Sequence, residues 1–221
     1  MTVDPIPQEE AFPWLKFKHY AKRVPQITFA FGLYDAEKVL RGVITFGSPC
    51  RMLNDGFSAF EGKMKVQTYE LNRLCVEDGI PKNSLSLFVG GAIKKLPKPT
   101  LLVSYADGNH GHHGYIYQAT NWLFTGITTA RKVFIDKNTG EQVQERTMVS
   151  RYGSSSVDRL PENIELSQEE SGKFRYFMFL GDKKKVREMK KAFAYDVLPY
   201  PKGENRRYDA SFKPATQGVL F

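Results

Sequence analysis

The chain has 221 residues, 41% hydrophobic and 13% aromatic, which excludes a disordered protein and is enough for one sizeable core or two small ones. No apolar run approaches the ~20 residues needed to cross a bilayer. The acidic, proline-broken start MTVDPIPQEEAFPW does not read as a signal peptide, and Cys50 and Cys75 make no disulfide framework, so a reducing cytoplasm is the expected compartment. The net charge of +8 is uneven: residues 173–213 hold twelve Lys/Arg against five Asp/Glu, a net of +7, which is either a footprint for a polyanion or a solvated lysine-rich helix face.

In chain order, residues 1–14 read as an arm. LKFKHYAKRVP then sets Lys16, Lys18, Lys22 and Arg23 around His19 and Tyr20, and Pro25 ends any helix there. QITFAFGLYD and VLRGVITFGSP read as a hairpin across a turn at Asp35–Lys38. Residues 50–63 have no period and read as a loop or short helix, in which Cys50 beside Arg51 is the more reactive thiol. KMKVQTYELNRLCVED alternates as a long strand, with Cys75 expected as a buried apolar residue. After the loop Asp78–Lys82, with Asn83 or Ser84 as N-cap, Leu85, Phe88, Val89, Ala92, Ile93 and Leu96 fall on one helix face, and Gly90-Gly91 suggests close packing.

The stretch Thr100–Gly126 carries most of the chemistry-bearing side chains. A buried-strand pattern through Leu101, Leu102, Val103 and Tyr105 breaks at Asp107-Gly108-Asn109, three histidines follow, and a helical pattern starts after Gly114. A strand that ends in a polar loop and feeds a helix is where α/β sheets place their chemistry. Asp107, His110 and His112 lie within six residues, and the first reading is a His-rich loop without metal; the alternative, which the spacing allows, is ligation of non-haem iron. LFTGITTARKVFID reads as a strand broken at Gly126, residues 136–172 as an insertion, KFRYFMFLG as a strand, and DKKKVREMKKAFAYD as a helix with Val186, Met189 and Phe193 inward.

The order hairpin, strand, helix, strand, helix, strand, strand is that of an α/β (α+β) fold with a mixed central sheet flanked by helices. Three stretches resemble the core of the GNAT acyltransferase superfamily: YELNRLCV with its following loop and helix, LLVSYAD running into YIYQATN, and IYQATNWLFTG. The resemblance implies that Cys75, Val76, Gly79, Lys82, Asn83 and Ser84 hold a small-molecule donor such as an acyl-CoA, with anions at a helix N-terminus, and that Tyr117 acts as general acid. The loop DGIPKNSLS departs from the superfamily pattern (Q/R)xxGx(G/A), so weak acetyl-CoA binding is expected, with Lys82 offering a point charge instead.

A narrower resemblance runs through HYAKRVPQITFAFGLY, GVITFGSP, ELNRLCVEDGIPKNSLS, SYADGNHGHHGYIYQATNW and RYFMFLGDKKKVREMKKAF. These segments are similar to the Mom-type DNA-modification proteins of phages. That resemblance implies modification of adenine N6 in double-stranded DNA to an acetamido (carbamoylmethyl) form, protection from restriction enzymes, and a phage-infected bacterial cytoplasm as location. Under it, His19, Tyr20, Asp107, His112 and Tyr117 are the catalytic candidates. Arg23, Ser48, Ser104, Tyr105, Asn121, Lys184, Lys185, Arg206 and Arg207 are the candidates for holding DNA. The expected organisation is an arm (1–14), a catalytic domain (15–181) with the insertion, and a basic helix and tail (182–221). Two other classes stay open on the residues alone: a small-molecule N-acetyltransferase and a non-catalytic DNA-binding protein. The sequence leaves the oligomeric state and the donor open.

Overall fold

A computed structural model describes residues 1–49, 65–108, 111–170 and 172–202. The chain divides into two compact units: one comprises Met1–Ser104, Tyr115–Thr125 and the chain from Tyr176 on, the other Tyr105–Gly114 and Gly126–Arg175.

The first residues are built into the fold rather than forming an arm. Strand β1 (Thr2–Pro5) pairs antiparallel with β2 (Phe29–Tyr34), and helix α1 (Gln8–Pro13) follows. Glu9 and Glu10 in the first turn of α1 suit the positive end of its dipole. A π-helical turn, Trp14–Lys18, continues it, closed by the His19 amide on the Trp14 carbonyl at 2.9 Å. Ile6, Ala11, Trp14 and Leu15 bury against Ile27, Ala30 and Val43, so the stretch read as an arm anchors one end of the core.

The predicted hairpin is β2 and β3 (Leu40–Gly47). Its turn is held by Asp35, whose carboxylate accepts the Glu37 and Val39 amides and the Arg41 guanidinium. Strand β4 (Gln67–Val76) pairs antiparallel with β3 and parallel with β5 (Thr100–Ala106). With β10 (Phe174–Leu180) and β6 (Leu123–Ile127) the order is β1-β2-β3-β4-β5-β10-β6, the expected mixed central sheet.

Helix α2 (Ser84–Lys94) buries Phe88, Val89, Ala92 and Ile93. Of its two glycines only Gly91 meets a neighbour, since a Cβ there would lie 2.8 Å from Val3; at Gly90 the space is open. Asn83 does sit at the N-cap, but with φ at 67° and no side-chain cap bond. Short helix α3 (Tyr115–Ala119) leads into β6. Helix α5 (Lys183–Ala192) is capped by Asp182, whose carboxylate accepts the Lys185 amide at 2.8 Å. It buries Met189 fully and Val186 and Phe193 in part. The chain beyond it lies along β6, with the Leu198 amide on Phe124 and the Tyr200 hydroxyl on the Trp122 carbonyl.

The predicted insertion supplies the outer strands of a separate three-stranded sheet in the second unit, whose central strand comes from the residues before it. Strand β7 (Arg131–Asp136) lies between β8 (Gln142–Gln144) and β9 (Ile164–Glu170), with helix α4 (Glu145–Tyr152) after β8. Phe134, Val143, Met148 and Ile164 make its core. LFTGITTARKVFID is therefore two strands in two sheets, and the break falls at residues 128–130, not at Gly126, which lies within β6.

Candidate active site

The ladder between β4 and β5 runs from Gln67–Thr100 to Leu71–Ser104 and stops, although β4 continues to Val76. Where it stops, the carbonyl of Leu71 has lost its strand partner and must find another in the buried interior. Ser104 supplies it: its Oγ is 2.7 Å from the Leu71 carbonyl and 2.7 Å from the Tyr117 hydroxyl. A carbonyl only accepts, so Ser104 donates to Leu71 and Tyr117 donates to Ser104. Sequence expected Ser104 and Tyr117 in different roles; the fold makes them one chain of hydrogen bonds.

Tyr117 packs against Trp122 and Tyr176, with ring centroids 5.2 and 5.1 Å away. Desolvation by this burial pushes its phenol up to about 12, outweighing the Ser104 bond, which lowers it. The group therefore holds its proton at neutral pH and can donate it but cannot serve there as a base. Its folded value lies above the ordinary 10, so the stability it contributes is complete below pH 10 and is lost as pH rises towards 12. An absorbance titration at 295 nm is expected to show a tyrosine ionising near pH 12 that is missing in Tyr117→Phe.

A second group of side chains lies in the same unit. His19 is buried and its Nδ1 accepts the Ala21 amide at 3.0 Å. A neutral His19 thus carries its proton on Nε2 and presents a donor. Tyr20 stacks on it at 4.4 Å and stays 46% exposed. Arg73 lies within electrostatic range of Tyr20, Glu70 and Arg23. Its Nη1 donates to the Asn72 carbonyl at 2.6 Å and its Nε to the Arg23 carbonyl at 3.4 Å. Burial depresses the guanidinium pKa, opposed by Tyr20 and Glu70. Tyr20 and Glu70 also act on Tyr117.

The register explains why Arg73 stands there. Thr45 faces Arg73 and Phe46 faces Leu71, so Asn72 is the extra residue of a β-bulge. Its side chain accepts from Thr45 at 2.6 Å and donates to the Gln26 carbonyl at 2.9 Å. Ser48, exposed at the end of β3, gives its amide to the Gln26 side chain. Glu70 and Arg73 were not among the sequence candidates. The available signal was two opposite charges in an otherwise half-buried interior strand, where a charge needs a partner or a task.

A third feature of this unit is an open cleft of about 520 Å³ lined by Met1, Pro81, Lys82, Asn83, Ser84, Ser86, Leu87, Ala119 and Thr120. It gathers Lys82, Asn83 and Ser84 of the expected donor loop. The Ser84 amide is taken by the Pro81 carbonyl at 3.1 Å, while the Leu85 and Ser86 amides have no main-chain partner among the described residues. Two helix N-terminal amides and a lysine suit one anionic group. Cys75, Val76 and Gly79 do not line the cleft. Gly79 makes the turn after β4 at φ 75°, and burial pushes the Cys75 thiol up to about 11, so it is not a thiolate at neutral pH. Asn121, exposed at φ 61°, is the left-handed residue that closes α3. Trp122 is wholly buried and belongs to the core.

Asp107, Tyr105 and His112 belong to the second unit. Asp107 is buried and paired with Lys173 Nζ at 2.7 Å. Lys173 is fixed by a two-way bridge to Thr128, whose close approach needs Gly172, where a Cβ would run into the Thr128 carbonyl. The His112 amide bonds the Asp107 carbonyl, Tyr105 is half-buried and His112 is exposed. Of the possible metal ligands, Asp107 faces a lysine cation, and no group of three or more His, Cys, Asp or Glu side chains able to hold a metal occurs among the described residues. His110, Cys50, Arg206 and Arg207 lie outside the described residues.

On α5 the helical repeat sets Lys183, Lys184, Arg187, Lys190 and Lys191 on one exposed stripe. Lys185 is half-buried, with Nζ 3.5 Å from Glu188.

These features define a mixed α/β protein whose sheet opens between two parallel strands beside a buried Ser–Tyr pair and a Tyr–Glu–Arg cluster, with an anion-suited helix N-terminus and a basic helix in the same unit. The chain belongs to the Mom protein family, whose model matches residues 1–202. It is 28% identical over 195 residues to the methylcarbamoylase mom of Escherichia phage Mu, covering 85% of this chain and 78% of that protein. Among solved structures it is similar to a histone-acetyltransferase-related protein of Corynebacterium glutamicum (TM-score 0.41, 12% identity, 80% of this chain and 94% of that one). It is also similar to a spermidine N-acetyltransferase variant of Vibrio cholerae (TM-score 0.43, 6% identity, 81% and 95%).

Proposed function

We propose that this protein is a DNA-modifying transferase that attaches an acetamido (carbamoylmethyl) group to N6 of adenine in double-stranded DNA, shielding the DNA from restriction endonucleases. The observation that carries this reading is membership of the Mom family, with a methylcarbamoylase relative matched over most of both chains. The site supports it chemically. N6 of adenine is a weak nucleophile, its lone pair delocalised into the ring, so it must be held against an electrophile while a proton is removed. The base must first leave the stack. Exposed Tyr20, stacked on His19, offers a face for it. As N6 forms its bond to the transferred CH2, the bond from that carbon to the donor's leaving group breaks and its electron pair goes with the leaving group; Glu70, whose charge acts on Arg73 and Tyr117, is the candidate to take the N6 proton, and Arg73 the candidate donor for the charge developing on the leaving group. The exposed stripe of α5 suits the phosphate backbone.

The donor is a small molecule with an anionic group, held at Lys82–Ser86. Nucleosides from plasmid DNA co-expressed with this protein are expected to contain a deoxyadenosine carrying one carbamoylmethyl group on mass spectrometry. Lys82→Ala is expected to lower that product at least tenfold with DNA affinity unchanged. Unmodified deoxyadenosine alone from the wild type would contradict the reading. Tight acetyl-CoA binding by calorimetry, with CoA released on a small amine, would move the protein to the small-molecule acetyltransferases.

A further inference from the structure

Phe17 is the most exposed large hydrophobic side chain among the described residues, at 73%. It is not on a loose loop. Buried Trp14 and Leu15 anchor its π-helical turn from below, and the His19 amide closes it on Trp14. Lys22 Nζ donates to the Phe17 carbonyl. Lys18 lies 3.8 Å over the Trp14 ring and bonds Glu77, which also holds Arg41. The main chain on either side is thus tied down while the ring is turned out to water, where an aromatic residue gains nothing for the fold.

Its surroundings say what it could enter. Lys16, Lys22 and Arg23 are exposed within six residues of it, and Tyr20 follows three residues on, stacked on His19 and within range of Arg73. A ring bordered by cations, beside a site, matches a polyanion with an apolar interior. Duplex DNA offers that interior only between base pairs, and extruding one base leaves a gap of aromatic dimensions. Resting on the reading of this protein as a DNA adenine modifier, we infer that Phe17 is a wedge that enters the duplex where the target adenine has left the stack, holding the gap open while the base occupies the site near Tyr20.

The gap exposes the thymine opposite the extruded adenine, which permanganate oxidises when unstacked. Plasmid DNA with purified wild-type protein is expected to show hyperreactive thymines. Phe17→Ala is expected to lose that reactivity and at least tenfold of the modified deoxyadenosine formed in cells, with overall DNA affinity within about twofold. Phe17→Trp, which keeps a flat ring, is expected to restore both. The ring is exposed, so the alanine variant should melt with the wild type. Wild-type permanganate pattern and modification in Phe17→Ala would overturn the wedge, as would a change confined to oligomeric state in sedimentation. If the wild type itself gives neither reactive thymines nor modified deoxyadenosine, the adenine reading fails and the wedge with it.

Discussion

Arg73→Ala is expected to reduce modified deoxyadenosine at least 100-fold while leaving DNA affinity and melting temperature close to wild type. Removing one donor aimed at developing charge in a water-poor site typically costs ~100- to 1000-fold in rate. Arg73 has the attributes of such a donor. It is half-buried, it is braced by the Asn72 and Arg23 carbonyls, and it lies within range of Tyr20 and Glu70. Fold stability draws little on it, because the bulge that positions it is held by Asn72 through Thr45 and Gln26. Arg73→Lys keeps a charge but not the planar fork, so an intermediate loss is expected. Wild-type product from Arg73→Ala would reduce the residue to a strand-bracing role and leave Glu70 and Tyr117 as the groups to test.

Removing the α5 stripe is expected to have the largest effect on binding. Changing Lys183, Lys184, Arg187 and Lys191 together to alanine should weaken duplex binding by about 100-fold or more near 0.1 M salt, and lower the slope of log K against log salt by about 3 to 4. Of these charges helix stability explains only Lys191, in the last turn, where a cation suits the dipole. Lys183 and Lys184 stand in the first turn, where cations oppose the helix dipole. Asp182 caps the helix and Met189 buries it, and both remain in the variant, so its melting temperature should hold. Lys185, half-buried beside Glu188, is expected to matter less than its neighbours. An unchanged salt slope in a fluorescence titration would show that DNA does not meet this helix.

The sequence by itself determined the elements whose pattern is local. Strands β2, β3, β4, β5 and β10, helix α2 and the Asp182-capped α5 lie where alternation, helical spacing and turn residues put them, because each carries its own period and its own stop signals. It also brought out the motifs around His19-Tyr20, the Lys82 loop and the basic helix. Tertiary structure decided what depends on distant partners. The first fourteen residues became strand and helix because β2 offered an edge and Ile27, Ala30 and Val43 an apolar surface, neither visible from MTVDPIPQEEAFPW. The apparent strand at residues 123–136 was divided between two sheets, because a strand's partner is a non-local choice that periodicity does not record. Ser104 met Tyr117 only because the β4–β5 ladder stops at Leu71 and leaves a buried carbonyl to satisfy. Arg73 entered the site through a bulge, and Asp107 gained Lys173 from 66 residues away through the Gly172–Thr128 approach. Burial then set which groups can titrate: the Tyr117 phenol and the Cys75 thiol, ordinary in the sequence, are held protonated by the low dielectric of the interior that only the folded chain creates.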